Sequence, residues 1–136
     1  MIDNLTTEVS AFFGDTKYKF QLTAPMIMEL ERTCETGIGG LFDRVLRSQF
    51  KLLETQEVIR LGLIGAGMEP QRAHELVTTY LNSGKPIGAA YPLALEILNA
   101  LMFGVDPLTV KAAEISPIIH TANHSNVVNE MMKDSA

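Results

Sequence analysis

The chain has no tryptophan, a single cysteine and no block of basic residues. A lone thiol, Cys34, cannot staple a fold, and its use fits a reducing compartment. Net charge is −5 over 136 residues. With no Lys/Arg cluster, attraction to a phosphate backbone is weak, so nucleic acid is not an expected partner. The amino terminus, MIDNLTTEVS, has neither a cationic n-region nor an apolar h-region, and no secretory signal is expected. Long hydrophobic runs are also scarce. The longest, Ile87 to Phe103, is short for a bilayer and carries Pro92, Glu96 and Asn99, so it reads as a core helix and no membrane association is expected. The N-x-S/T matches at Asn4 and Asn123 carry little meaning in a chain that is not exported. What is plentiful is ordinary globular material: 46% apolar residues, enough for a core without staples.

Residues 7–22 read as a β-hairpin. Tyr18, Phe20 and Leu22 alternate with Lys17, Lys19 and Gln21, and Val9, Ala11 and Phe13 form a matching stripe. Gly14-Asp15 supplies the turn. Phe12 falls on the polar face of this register, as a bulge or as an exposed contact. Such a hairpin is marginal alone and must pack on helices or pair with another chain.

Helices follow. Thr23 is the expected cap of a helix of about ten residues with Pro25 in its first turn. Met26, Ile27, Leu30 and Cys34 share its inner face, and Gly37 to Gly40 are expected to end it. Cys34 reads as a small buried hydrophobe. Leu41, Phe42, Val45 and Leu46 begin a second amphipathic helix. Thr55 is the expected cap of a third, supported by Glu57 and carrying Val58, Ile59, Leu61, Leu63 and Ile64. Gly62, Gly65 and Gly67 crowd its end, for close approach or a left-handed cap. Pro70 starts a fourth helix with Ala73, Val77, Tyr80 and Leu81 on one side, stopped by Asn82-Ser83-Gly84. After Pro86, Pro92 marks a kink or a first turn. Leu93, Leu95, Ile97, Leu98, Leu101, Met102 and Phe103 are apolar nearly all round, so this helix is expected to sit centrally or beneath a partner. Asp106-Pro107 opens a short helix to about Glu114. Residues 116–136 read as a polar, flexible tail. The expected architecture is α+β, mostly α: an N-terminal hairpin packed on four to six helices, with one domain over 1–115 and the tail behind it.

Catalytic and cofactor chemistry find little support. Gly65-Ala66-Gly67 lacks the third glycine of a dinucleotide loop and follows a helix rather than a strand. His120 and His124 share a helical spacing, but zinc needs three or four ligands and only Glu114 and Glu130 are near. His74 beside Glu75 reads as a solvated face. No Ser, His and acid residues are fixed as a triad, and the carboxylates are scattered on outer faces. No catalytic residue, metal site or cofactor is expected.

The order of segments resembles a phage family known from gene transfer agents, encoded beside the major tail protein and tape-measure genes. A hairpin leads into L-T-x-x-x-x-x-E-L-E, here Leu22-Thr23 through Glu29-Leu30-Glu31. G-L-I-G-x-G-M stands at Gly62 to Met68 and A-x-x-L-V at Ala73, Leu76 and Val77. P-L-A-x-x-I-L-x-A-L-x-x-G runs from Pro92 to Gly104. The resemblance covers about residues 7–104. It implies a non-enzymatic tail assembly chaperone of the host cytoplasm, which binds the tape-measure protein and recruits tail tube subunits. Some family members are labelled tail tube proteins, and the alternative is a structural tube or connector subunit of the virion. Tube subunits are usually dominated by long strands, whereas only about 15 residues here read as strand. Two regions are the expected contact surfaces: Phe12, Tyr18 and Phe20 of the hairpin, whose edge is also suited to self-association, and Leu95, Leu98, Met102 and Phe103 of the apolar helix. Seven methionines suit adaptable contacts.

Overall fold

A computed structural model describes residues 4–82 and 84–107. Its described part is a hairpin of strands β1 (Val9–Phe13) and β2 (Thr16–Phe20) followed by helices α1 (Ala24–Cys34), α2 (Ile38–Leu46), α3 (Leu52–Gly65), α4 (Pro70–Leu81) and α5 (Tyr91–Phe103), with a 3-10 turn at Ile87–Ala90 before α5. The fold is α+β and mostly α. The expected helix at 106–114, the tail at 116–136 and both tail histidines lie outside the described residues.

The hairpin register pairs Val9 with Phe20 and Phe13 with Thr16, leaving Gly14-Asp15 as a two-residue loop. Gly14 has φ +70 while Asp15 stays in negative φ, the pattern of the turn that opens with glycine and matches strand twist. Val9, Phe13 and Phe20 are buried. The Phe13 ring meets Phe20 edge-on at 6.2 Å and Tyr80 of α4 at 5.9 Å, and the Tyr80 ring lies against the face of Gly14 where a side chain would stand. The alternating stripe thus becomes the contact that docks the hairpin on the helices.

Several helix boundaries differ from the sequence reading. Thr23 stands at the N-cap of α1, but its hydroxyl makes no cap bond. α1 ends at Cys34, because Glu35 turns left-handed at φ 54. Gly37 is then the N-cap of α2, and Gly39 and Gly40 lie in its first turn rather than ending α1. The Glu31 carboxylate makes this possible by accepting from the Ile38 N–H at 2.8 Å, which satisfies a donor of the new helix. α3 begins at Leu52, one turn before the expected Thr55 cap. Thr55 is buried inside it and donates to the Leu52 carbonyl at 3.1 Å. The cap is supplied by Glu54, which accepts from the Lys51 N–H at 2.8 Å and is also ion-paired to Arg44 of α2. A buried carboxylate with both partners ties α2 to the start of α3. α4 starts at Pro70 as expected, capped by the Glu69 carboxylate, which accepts from Gln71 N–H and Arg72 N–H. Pro92 lies in the first turn of α5, so no kink is needed.

The largest departure concerns the centre. The all-apolar α5 was expected there or beneath a partner; of the two places, the centre is occupied by α3. α1, α4, α5 and β2 all pack on α3, and Val58, Ile59, Leu61, Gly62 and Leu63 are buried. Glycines explain the exchange. The Gln21 N–H donates to the Gly62 carbonyl at 2.9 Å, and a Cβ on Gly65 would overlap the Gln21 carbonyl oxygen. The close approach anticipated for these glycines is made by the strand that leaves the hairpin. Gly67, at φ +111, carries the chain out of α3. α5 therefore buries one side, Ala94, Ile97, Leu98 and Ala100, and leaves Met102 and Phe103 exposed.

The ends of this unit meet. Thr6 and Val105 form an antiparallel bridge, with N–H···O distances of 3.0 and 2.8 Å.

Candidate interaction surfaces

The seven expected contact residues divide by pleat and by helix face. On the hairpin, Phe20 points inward and is fully enclosed, so it belongs to the core. Tyr18 is half-buried, and its hydroxyl donates to Asp15 at 2.8 Å. That bond and the nearby carboxylate push the phenol above its ordinary value. Phe12 lies on the other face and is 70% exposed. Its strand neighbours alternate inward, so nothing inside the fold reaches it. On α5, Leu98 is enclosed and Leu95 half-buried, whereas Met102 and Phe103 face water, Phe103 at 65%. Phe12, Met102 and Phe103 are therefore available to a partner, while Phe20 and Leu98 are held in the core.

α2 and α5 run antiparallel past each other, and their seam carries more aromatic surface than the sequence reading assigned it. The Phe42 and Phe103 rings meet edge-on at 5.8 Å. Toward the other end, Phe50 stacks on Tyr91 at 5.2 Å, and the Tyr91 hydroxyl lies 3.5 Å from the Leu46 carbonyl. Leu46 was expected on the inner face of α2 but is exposed. Leu41 and Val45, one turn apart, take that face, and Leu46 is rotated about 100° from Val45. Met28 on α1 and Ile87 in the 3-10 turn are also exposed and were not among the expected contacts. Met28 could have been found in the sequence as a lone apolar residue on the side of α1 that carries Glu31 and Arg32. Ile87 gives no periodic signal.

The polar groups form local structure. Glu29 is hydrogen-bonded by Arg32, which holds its carboxyl below the usual range. Arg60 is bonded to Glu57 at 2.6 and 2.9 Å. Burial pushes the Cys34 thiol up, and Glu57 adds to this. Because the thiolate is the nucleophile, iodoacetamide is expected to label Cys34 at least about tenfold more slowly in the native chain than in urea. Equal rates would show that the α1 inner face is open. His74 is exposed on α4. Among the described residues, no group of three or more His, Cys, Asp or Glu is placed to hold a metal ion, and no helix is long and apolar enough to cross a membrane.

Among protein families, the one described as phage tail tube protein, GTA-gp10, fits residues 6–104. This chain belongs to that family. The resemblance read from Gly62 to Met68 and its flanking segments is thus upheld at the level of a phage or gene-transfer-agent tail-region family. No curated protein and no solved structure gave a significant match. The family span has a structural meaning in this member. It starts at Thr6 and stops one residue before Val105, the two residues of the bridge that closes the unit. The description names a tail tube protein, which favours the structural reading over the chaperone reading.

Phe12→Asp is expected to leave the fold intact, with a stability change below about 1 kcal/mol by urea denaturation, since the ring has no enclosed neighbours to lose. A loss of several kcal/mol would place Phe12 in the core instead.

Proposed function

We propose that this protein is a non-enzymatic structural component of a phage or gene-transfer-agent tail, at the tube or its connection, and works through protein–protein contacts. The observation that carries this reading is the family match over residues 6–104, all but the last residue of the unit that the Thr6–Val105 bridge closes. The exposed side chains Met102 and Phe103, adjacent at the end of α5, support it, because contiguous rather than single exposed hydrophobics mark contact surfaces. Residence in the virion, after synthesis in the host cytoplasm, follows from it.

A second reading is a tail assembly chaperone that binds the tape-measure protein and recruits tail tube subunits. It is favoured by the small strand content: two strands of five residues beside five helices among the described residues. The aromatic seam between α2 and α5 also suits an amphipathic client helix.

One experiment separates the two. Particles from the producing strain are purified and the protein quantified against the tail tube protein, while the tape-measure protein is co-expressed and pulled down. A fixed stoichiometry in finished particles supports the structural reading. Exclusion from particles, with a soluble tape-measure complex, overturns it in favour of the chaperone. Absence from both overturns the two together.

A further inference from the structure

The two edges of the hairpin are not alike. In a two-residue hairpin the closing pair exchanges both backbone bonds, and bonded pairs alternate with pairs whose N–H and C=O groups point outward. Phe13 and Thr16 close this hairpin, so the outward groups belong to Ser10 and Phe12 on β1 and to Lys17 and Lys19 on β2. The β2 edge is guarded by its two lysines and continues into Gln21, whose outward N–H is bonded to the Gly62 carbonyl. The β1 edge is closed at Thr6, whose backbone is bonded to Val105, but has no such cover from Val9 onward among the described residues. From Val9 to Phe13 it carries no charge and no proline, and among the described residues no backbone group pairs with Ser10 or Phe12 outside the hairpin. An edge open from Val9 to Phe13, with Glu8 just before it as its one charge (3.9 Å from Lys19 across the hairpin) and an exposed aromatic beside it, is a template for another strand.

We propose that the β1 edge is a docking site for a second copy of this chain, joined antiparallel to make a four-stranded sheet with Ser10 facing Ser10 across the two-fold axis. Charge selects the occupant and the register. With Ser10 at the centre, Glu8 of each copy stands opposite Phe12 of the other, and Lys17 stands beyond that Phe12 on the adjoining strand. Each outer row then reads Lys17, Phe12, then Glu8 of the second copy, with opposite charges bracketing a ring that is exposed in the single chain. Moving the axis to Ala11 would carry Glu8 toward Asp15 of the second copy and set like charges together. Ser10 N–H and C=O exchange bonds with their counterparts. Phe12 does so with Glu8, whose N–H leaves the Thr6 hydroxyl that it meets at 3.1 Å. The inference stands on the strand edge alone and does not depend on the tail reading.

Full-length protein is measured by light scattering across a range of concentrations, and Ser10→Cys and Phe12→Cys variants are oxidised mildly beside the wild type, whose own thiol is buried. Facing Ser10 positions lie about 5.5 Å apart at Cα, within reach of a disulfide. The two Phe12 positions are offset by about 13 Å along the strands. A wild-type dimer, with Ser10→Cys linking at least about tenfold faster than Phe12→Cys, is the expected result. Persistent monomer at every concentration overturns the proposal, as does a dimer in which Ser10→Cys does not link, or linking at equal rates. Circular dichroism melts of both variants confirm that each is folded when oxidised.

Discussion

Gly65→Ala is expected to destabilise the protein by about 3 kcal/mol or more, because the new methyl must occupy the place of the Gln21 carbonyl oxygen. The obstacle is backbone, not the flexible end of a side chain, and that backbone is pinned one turn earlier by the Gln21 N–H bond to Gly62. Relief requires lifting the end of β2 off α3, which also exposes Phe20. For a unit of about 100 residues this corresponds to a fall in Tm on the order of 10–20 °C. Gly39→Ala is the control. Gly39 lies in α2 at ordinary helical φ with nothing within 4 Å of the added carbon, so alanine there is expected to stabilise by about 0.5–1 kcal/mol. Thermal melts of the pair should move in opposite directions. A neutral Gly65→Ala would mean that the hairpin does not sit on α3 as described.

Phe20→Ala is expected to cost about 3–5 kcal/mol by urea denaturation. The ring is fully enclosed, meets Phe13 edge-on and lies over Gly62, whose added Cβ would come within 3.3 Å of the Phe20 Cβ. Truncation would open a cavity between hairpin and α3 that neither element can fill, since the strand is bonded in place. Phe12, on the opposite face of the same hairpin, is expected to respond through partner binding and hardly at all through stability. A cost below about 1 kcal/mol for Phe20→Ala would return Phe20 to the contact surface.

The hairpin was legible because its signals are local. Period-two alternation from Val9 to Leu22 and the Gly14-Asp15 turn depend only on neighbours in sequence, and the structure reproduces both. The same holds for the Pro70 start of α4 and the Gly104 end of α5. Boundaries that rest on distant partners were not legible. Nothing near Ile38 announces that Glu31, seven residues back, will satisfy its N–H. Nothing near Glu54 announces the Arg44 guanidinium that helps hold it. The contact residues divided for the same reason. Phe20 and Leu98 are as apolar as Phe12 and Phe103, and only the packing of neighbouring elements decides which of them meet water.

The sequence by itself determined the element types, the single-cysteine chemistry, the inner stripe of the hairpin and the family, because these follow from periodicity, turn residues and a glycine-marked motif. The tertiary structure alone decided which helix is central. By apolar content α5 was expected at the centre or beneath a partner. α3 took the place because Gly62 and Gly65 let a strand lie directly on its backbone, and a helix that can be approached so closely is covered from more sides than one that is merely apolar.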